Sequence, residues 1–225
     1  MRRVERDGMA VSTTAKRVQT FVAVLISAAL LLRLGLTIFD PDVAPDNPDL
    51  LTRLIRFVSY FTIQSNFVAL LAALAVIKTK PLDDPWQRAL RLASLVGMSV
   101  TGIVYVTILA GDMHPTGLSA VANYMLHYIG PPLVVIAWLA AGPAQKLQLV
   151  DIPRTLLWPL LWVAYTLIRG AIVDWYPYGF IDVGLHGYGK VSTNIVAITI
   201  FAIVLSLLYI GVAKLRWRPS ENKRT

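Results

Sequence analysis

At 225 residues, with 56% hydrophobic residues, 15% charged residues and a mean hydropathy of +0.61, the chain is too apolar for a water-soluble domain of its size. It has no cysteine, which excludes a disulfide framework, a thiolate metal site, an iron–sulfur cluster and a cysteine nucleophile. A net charge of +8 would suit nucleic acid, but the 21 Lys and Arg residues gather at the ends of apolar runs, as basic residues beside membrane spans do, so no nucleic-acid partner is expected.

Crossing a hydrocarbon core of about 30 Å as a helix takes roughly 20 apolar residues. Six such runs follow in chain order, at 18–39, 57–77, 90–111, 118–141, 152–173 and 191–213. They predict an all-α polytopic bundle of six transmembrane helices between basic tails at 1–17 and 214–225. A membrane β-barrel would show short alternating segments instead. The first run follows a basic tail as a secretion signal does, but it exceeds the usual apolar core of such a signal and reads as a retained span.

The first run carries Arg33 and ends in a proline- and aspartate-rich loop, with Pro41, Pro45 and Pro48, that cannot continue a helix. The second carries Thr62, Ser65 and Asn66, and the fourth carries Asn123 and His127, followed by Pro131 and Pro132. Arg169 lies in the fifth and Asn194 in the sixth. Asp174, Trp175, Tyr176 and Tyr178 then make an aromatic interface outside the fifth run. The basic tails and the loops holding Lys78, Lys80, Arg88, Arg91, Lys146 and Arg154 mark one side as cytoplasmic, while the opposite loops have only Arg53, Arg56 and Lys190 and are rich in Asp. Both termini are therefore expected in the cytoplasm.

Within a bilayer the informative residues are the polar ones, because each is costly unless paired or facing a wet cavity. The cytoplasmic stretches 67–77, 133–141 and 202–213 read as nearly plain hydrocarbon, with at most a hydroxyl such as Ser206. The eight polar residues named above fall in the outer halves. Counting inward at 1.5 Å per residue puts Thr62 roughly 8 Å deep, Asn66 and His127 roughly 13 Å, and the two arginines roughly 6–9 Å. Thr62 and Asn66 share one helical face, as do Asn123 and His127, so the pairs can meet across the bundle. Pro131 and Pro132 lack the N–H groups that would serve the carbonyls of His127 and Tyr128, which predicts a kink beside the imidazole.

A hydroxyl and an imidazole at one depth suit nucleophilic acyl transfer, with the imidazole taking the hydroxyl proton as the oxygen attacks an ester carbonyl. Asn123 or Asn66 would orient the ring or donate to the oxyanion, and the arginines would hold a substrate carboxylate at the surface. Each residue also has a plainer role: hydroxyls bond back to their own helix, asparagines join helices, and arginines snorkel. A single in-span histidine excludes a bis-histidine haem, and Asp112, His114, Asp182 and His186 lack ligand-motif spacing, so no metal or other cofactor is expected. No nucleotide-binding or G-x-S-x-G motif is present.

Three stretches carry a family resemblance: Tyr60-Phe61-Thr62-Ile63-Gln64-Ser65-Asn66, then Asn123 and His127 followed by Pro132, and Trp175-Tyr176-Pro177-Tyr178. With six spans and cytoplasmic termini, the chain resembles the FAR/AIG-like (androgen-induced gene) family of six-helix membrane proteins, on the side of its bacterial Pr-six-Pr membrane protein branch. The resemblance implies an intramembrane threonine hydrolase of the kind that cleaves fatty acid esters of hydroxy fatty acids, with Thr62 as nucleophile and His127 as base. The polar residues themselves add Asn66, Asn123 and Ser65 in support and a lipid or fatty-acyl substrate at Arg33, Arg169 and Asn194, and the bacterial branch implies the bacterial plasma membrane as location. The more polar Gln64-Ser65-Asn66 and the shorter Thr-to-His separation depart from the animal pattern. A non-enzymatic six-helix protein that binds lipid, or is purely structural, is the alternative. A transporter is weaker, since no inverted repeat is evident, and no obligate protein partner is expected.

Overall fold

The computed structural model describes residues 11–40, 46, 48–78, 83–112, 114–142 and 145–216, and all of their regular structure is helical. Five helices are long and apolar enough to cross a membrane: Thr13–Phe39, Pro85–Leu109, Gly117–Ala141, Asp151–Val173 and Val183–Arg216. A sixth crossing exists if the pair Leu50–Ser59 and Phe61–Ile77, bent by 64°, counts as one. The basic tails lie largely outside the described residues.

We number the α-helical segments α1 (Thr13–Phe39), α2 (Leu50–Ser59), α3 (Phe61–Ile77), α4 (Pro85–Val104), α5 (Gly117–Tyr124), α6 (Gly130–Ala141), α7 (Asp151–Val173) and α8 (Val183–Arg216). The run expected at 57–77 is thus divided: α2 begins earlier, capped by Asp49, whose Oδ1 accepts from the Thr52 N–H at 3.1 Å, and the chain turns extended at Tyr60. The break leaves carbonyls at the end of α2 that side chains from elsewhere satisfy. Gln64 Nε2 donates to Val58 O at 2.9 Å and Trp162 Nε1 to Ser59 O at 2.8 Å. Neither Gly nor Pro marks this break, so hydrophobic periodicity alone runs through it.

α4 is the central helix. Leu92, Leu95 and Met98 are fully buried against a cluster that includes Val22 and Ile26 of α1, Ala69 of α3 and Val134 of α6. The outside of the bundle is apolar instead, with Phe21, Leu31, Leu71, Ile136, Leu161 and Ile168 all exposed. A water-soluble domain does not expose this much hydrocarbon on all sides.

Two close approaches need glycine. A Cβ on Gly102 would lie 2.9 Å from the Pro131 ring, so Gly102 lets α4 touch the proline pair of α6. A Cβ on Gly170 would overlap the Tyr176 ring, so Gly170 lets the chain leaving α7, after Asp174 at φ 50°, fold back across the bundle.

The expectation of a nearly dry cytoplasmic half needs correction. Outside the three apolar stretches named above, that end buries an ion pair: Arg88 Nε donates to both carboxylate oxygens of Asp151, at 3.0 and 3.2 Å. The Asp151 side chain is fully buried and also accepts from the Gln148 N–H at 2.9 Å. Nearby Arg91 is buried and donates to Ala72 O, and Ser99 Oγ and Tyr209 Oη hydrogen-bond at 2.6 Å. Arg88 and Arg91 were expected in a loop; instead the N-terminal ends of α4 and α7 pack together and bury them with Asp151.

Candidate active site

Thr62 stands in the first turn of α3, immediately after the break at Tyr60. His127 lies in a π-helical turn, Met125–Ile129, which joins α5 to α6 and ends with the Gly130 N–H bonded to Met125 O. This turn is the form taken by the expected proline kink: the chain widens just before Pro131, and the imidazole projects from the widened turn. A second π-helical turn, Tyr105–Leu109, extends α4. Tyr105 stacks on the His127 ring, with centroids 3.9 Å apart and planes inclined by 27°.

Thr62 Oγ1 lies 3.2 Å from His127 Nε2. On the other side of the ring, Nδ1 lies 3.1 Å from the Asn123 carbonyl. A carbonyl only accepts, so Nδ1 carries the proton of the neutral imidazole and Nε2 presents its lone pair to the threonine hydroxyl. Tyr178 closes the arrangement. Its phenolic oxygen accepts from the Thr62 N–H at 3.2 Å and lies 3.3 Å from Thr62 Oγ1. With the Thr62 proton directed to His127, the Tyr178 hydroxyl donates to Thr62 Oγ1. Burial pushes the Tyr178 phenol up to about 12, so it stays a neutral donor across the physiological range.

The supporting residues hold the backbone. Asn66 Nδ2 and Ser65 Oγ both donate to Thr62 O, at 2.8 and 3.0 Å, and Ser65 Oγ lies 2.7 Å from Thr101 Oγ1. Asn123 acts through its carbonyl on His127, while its amide Nδ2 donates to Tyr105 Oη at 2.6 Å. The Asn66 and Asn123 side chains therefore turn away from the Thr62 hydroxyl, and neither amide points at it. Asn66 Oδ1 is buried with no hydrogen-bond partner among the described residues.

Of the residues expected to bind substrate, Asn194 instead donates to Phe180 O at 2.7 Å and pins the segment that carries Tyr178. Arg33, half-buried on α1, is within electrostatic range of Tyr60 and His127. The Arg169 guanidinium lies 5.0 Å from the centroid of the Trp175 ring, and that of Arg56 lies 4.9 Å from it. Tyr60 meets both Trp175 and Tyr178 edge-on, with centroids 5.8 and 5.7 Å apart, so an aromatic column links the arginines to the Thr62 hydroxyl. Arg56 also pairs with Asp46 at 2.6 Å.

Sequence reasoning assigned no role at the site to Tyr178, Tyr105 or Arg56. Tyr178 lies 116 residues from Thr62, and its only signal was membership of the Trp175-Tyr176-Pro177-Tyr178 stretch. No group of three or more potential ligand side chains that would hold a metal occurs among the described residues. Comparison of the chain with family models, curated proteins and solved structures returns no match.

Proposed function

We propose that the chain is a multi-pass membrane protein that hydrolyses lipid esters within the bilayer, with Thr62 as nucleophile and His127 as general base. The observation that carries this reading is the 3.2 Å contact between Thr62 Oγ1 and a His127 Nε2 whose tautomer is set by Asn123 O. The resemblance to the androgen-induced gene family belongs to the same proposal, as do the six spans and the cytoplasmic termini.

In the first half-reaction Thr62 Oγ1 bonds to the ester carbonyl carbon as its proton passes to His127 Nε2. Tyr178, with its hydroxyl 3.3 Å from Thr62 Oγ1, serves as the neutral donor that turns to the oxygen that becomes negative. Collapse breaks the bond to the leaving alkoxide, which takes the proton from His127 and departs as the alcohol. Water then attacks the Thr62 ester by the same relay, releasing the acid and restoring the hydroxyl. Arg33 and Arg169, with Arg56, hold an ionised end of the substrate at the mouth.

The test is turnover of a long-chain ester by the purified protein. Thr62→Ala is expected to lower it by about a thousandfold, in the range of a lost nucleophile and its base together, with the fold intact by circular dichroism. Equal activity in the variant removes the mechanism. The arginine and tryptophan cluster favours a second reading, a protein that binds an anionic lipid without turnover; it predicts saturable fatty acid binding that weakens in Arg169→Ala.

A further inference from the structure

Arg88 and Arg91 lie about one turn apart near the start of α4, and both are buried, with 8% and 5% of their surface exposed. The fold treats them differently. Arg88 meets both carboxylate oxygens of Asp151, whereas no carboxylate pairs with Arg91 among the described residues. Arg91 Nη2 donates to Ala72 O at 3.3 Å, one long hydrogen bond from a group with five donors. Residues 79–82 and 143–144, which adjoin these helix ends in the sequence, contain no Asp or Glu. Of the nearby acids, Asp84 is engaged in capping α4 through the Trp86 and Gln87 N–H groups, and Asp83 is exposed. A buried guanidinium without a counter-charge is strongly unfavourable, so a negative group from outside the chain is the missing partner.

Arg91 lines a small cleft of about 10 Å³ between α3 and α4. Gln87, four residues earlier on the same face of α4, lines it too, with Gln145 and the apolar Ala72 and Val76. This is room for about one water-sized group, which suits a single oxygen of a larger anion whose remainder stays outside. The exposed residues beside the cleft in the chain are cationic and aromatic: Lys78 comes two after Val76, Lys146 follows Gln145, and Trp86 precedes Gln87. An exposed tryptophan at the end of an apolar helix marks the headgroup level of a bilayer, and basic residues there attract anionic lipid.

We propose that this cleft binds a phosphate group, with one oxygen on the Arg91 guanidinium and the Gln87 amide, and that the phosphate belongs to an anionic phospholipid of the leaflet bordering this end of the bundle. Ala72 lies ~15 Å along α3 from Thr62 at 1.5 Å per residue, so the site is separate from the candidate active site and independent of the hydrolase reading.

The experiment follows thermal unfolding of the full-length protein in lipid-free detergent as phosphatidylglycerol, phosphatidylcholine or inorganic phosphate is added. Phosphatidylglycerol is expected to raise the Tm of the parent by about 5 °C near saturation, and phosphatidylcholine, whose phosphate carries its own cation, by less than about 1 °C. In Arg91→Met the phosphatidylglycerol response falls below about 1 °C, while the Tm without lipid stays at or above the parental value, because hydrocarbon replaces a buried charge. Gln87→Leu weakens the response and keeps the test usable if Arg91→Met fails to fold. Arg17→Gln, which removes an exposed cation near the start of α1, keeps the parental response. A parental response in both Arg91→Met and Gln87→Leu overturns the assignment, as does an equal loss in Arg17→Gln, which would make the effect one of general surface charge. Arg91→Met that loses stability and keeps the response also overturns it, leaving Arg91 a tie to α3 only. Inorganic phosphate that acts as phosphatidylglycerol does, with the same loss in Arg91→Met, supports the phosphate site and overturns only its lipid source.

Discussion

At the Asp151 end of the bundle, a carboxylate with no exposure receives Arg88 Nε on both oxygens and the Gln148 N–H on one of them. At the Thr62 end the polar groups are neutral and form a relay, from the Thr62 N–H to Tyr178, back to Thr62 Oγ1 and on to His127. Both clusters sit in an apolar bundle and both join distant parts of the chain. They differ in what is left over. The ion pair ties the first turns of α4 and α7 together, while the relay ends on a hydroxyl that borders a cavity and faces an unprotonated imidazole nitrogen. Burial of polar groups therefore does not by itself mark a candidate site; a hydroxyl beside an imidazole and next to open space is what sets the Thr62 end apart.

This contrast can be broken by substitutions that move stability at one end and turnover at the other. The largest stability effect is expected from Asp151→Ala, which leaves Arg88 buried and unpaired and costs about 3–5 kcal/mol. Thermal unfolding in detergent reads it, while turnover per folded molecule stays at the parental level. Replacing both partners together, Arg88→Met with Asp151→Leu, recovers most of that loss, because a well-packed apolar pair carries no desolvation cost. If Asp151→Ala instead abolishes turnover in protein that remains folded, the two ends are not separate.

Tyr178→Phe is the smaller and opposite case. It removes the neutral donor assigned to the oxygen that becomes negative and leaves the Thr62 N–H without its acceptor, which predicts a loss of about tenfold or more in kcat. Stability changes by about 1 kcal/mol, since the ring and its contacts with Tyr60 and Phe180 remain. A variant with parental kcat would make Tyr178 a packing residue only.

Much of the Thr62 end was legible in the sequence, because the cost of polar groups in an apolar run is local information. His127 stood out as the one histidine inside a run, Thr62 lay at a matching depth, and Pro131 and Pro132 announced the distortion that became a π-helical turn. What was not legible depends on packing between distant segments. Tyr178 reaches Thr62 only because Gly170 admits the Tyr176 ring and Asn194 pins Phe180, and no periodicity encodes that return. Arg88 and Asp151 lie 63 residues apart; Arg88 read as a loop charge because it lies at a helix start, and nothing in the sequence pattern singled out Asp151 as its partner. The break at Tyr60 was hidden for another reason: Gln64 and Trp162 supply the hydrogen bonds that a glycine or proline signal would otherwise have flagged as missing.

A nucleophilic Thr62 hydroxyl is open to covalent trapping. The purified protein is treated with a fluorophosphonate hydrolase probe, digested, and the labelled residue is located by mass spectrometry. A single adduct on Thr62 is expected, absent in Thr62→Ala and formed much more slowly in His127→Ala. Labelling at another residue, or undiminished labelling in Thr62→Ala, would contradict it.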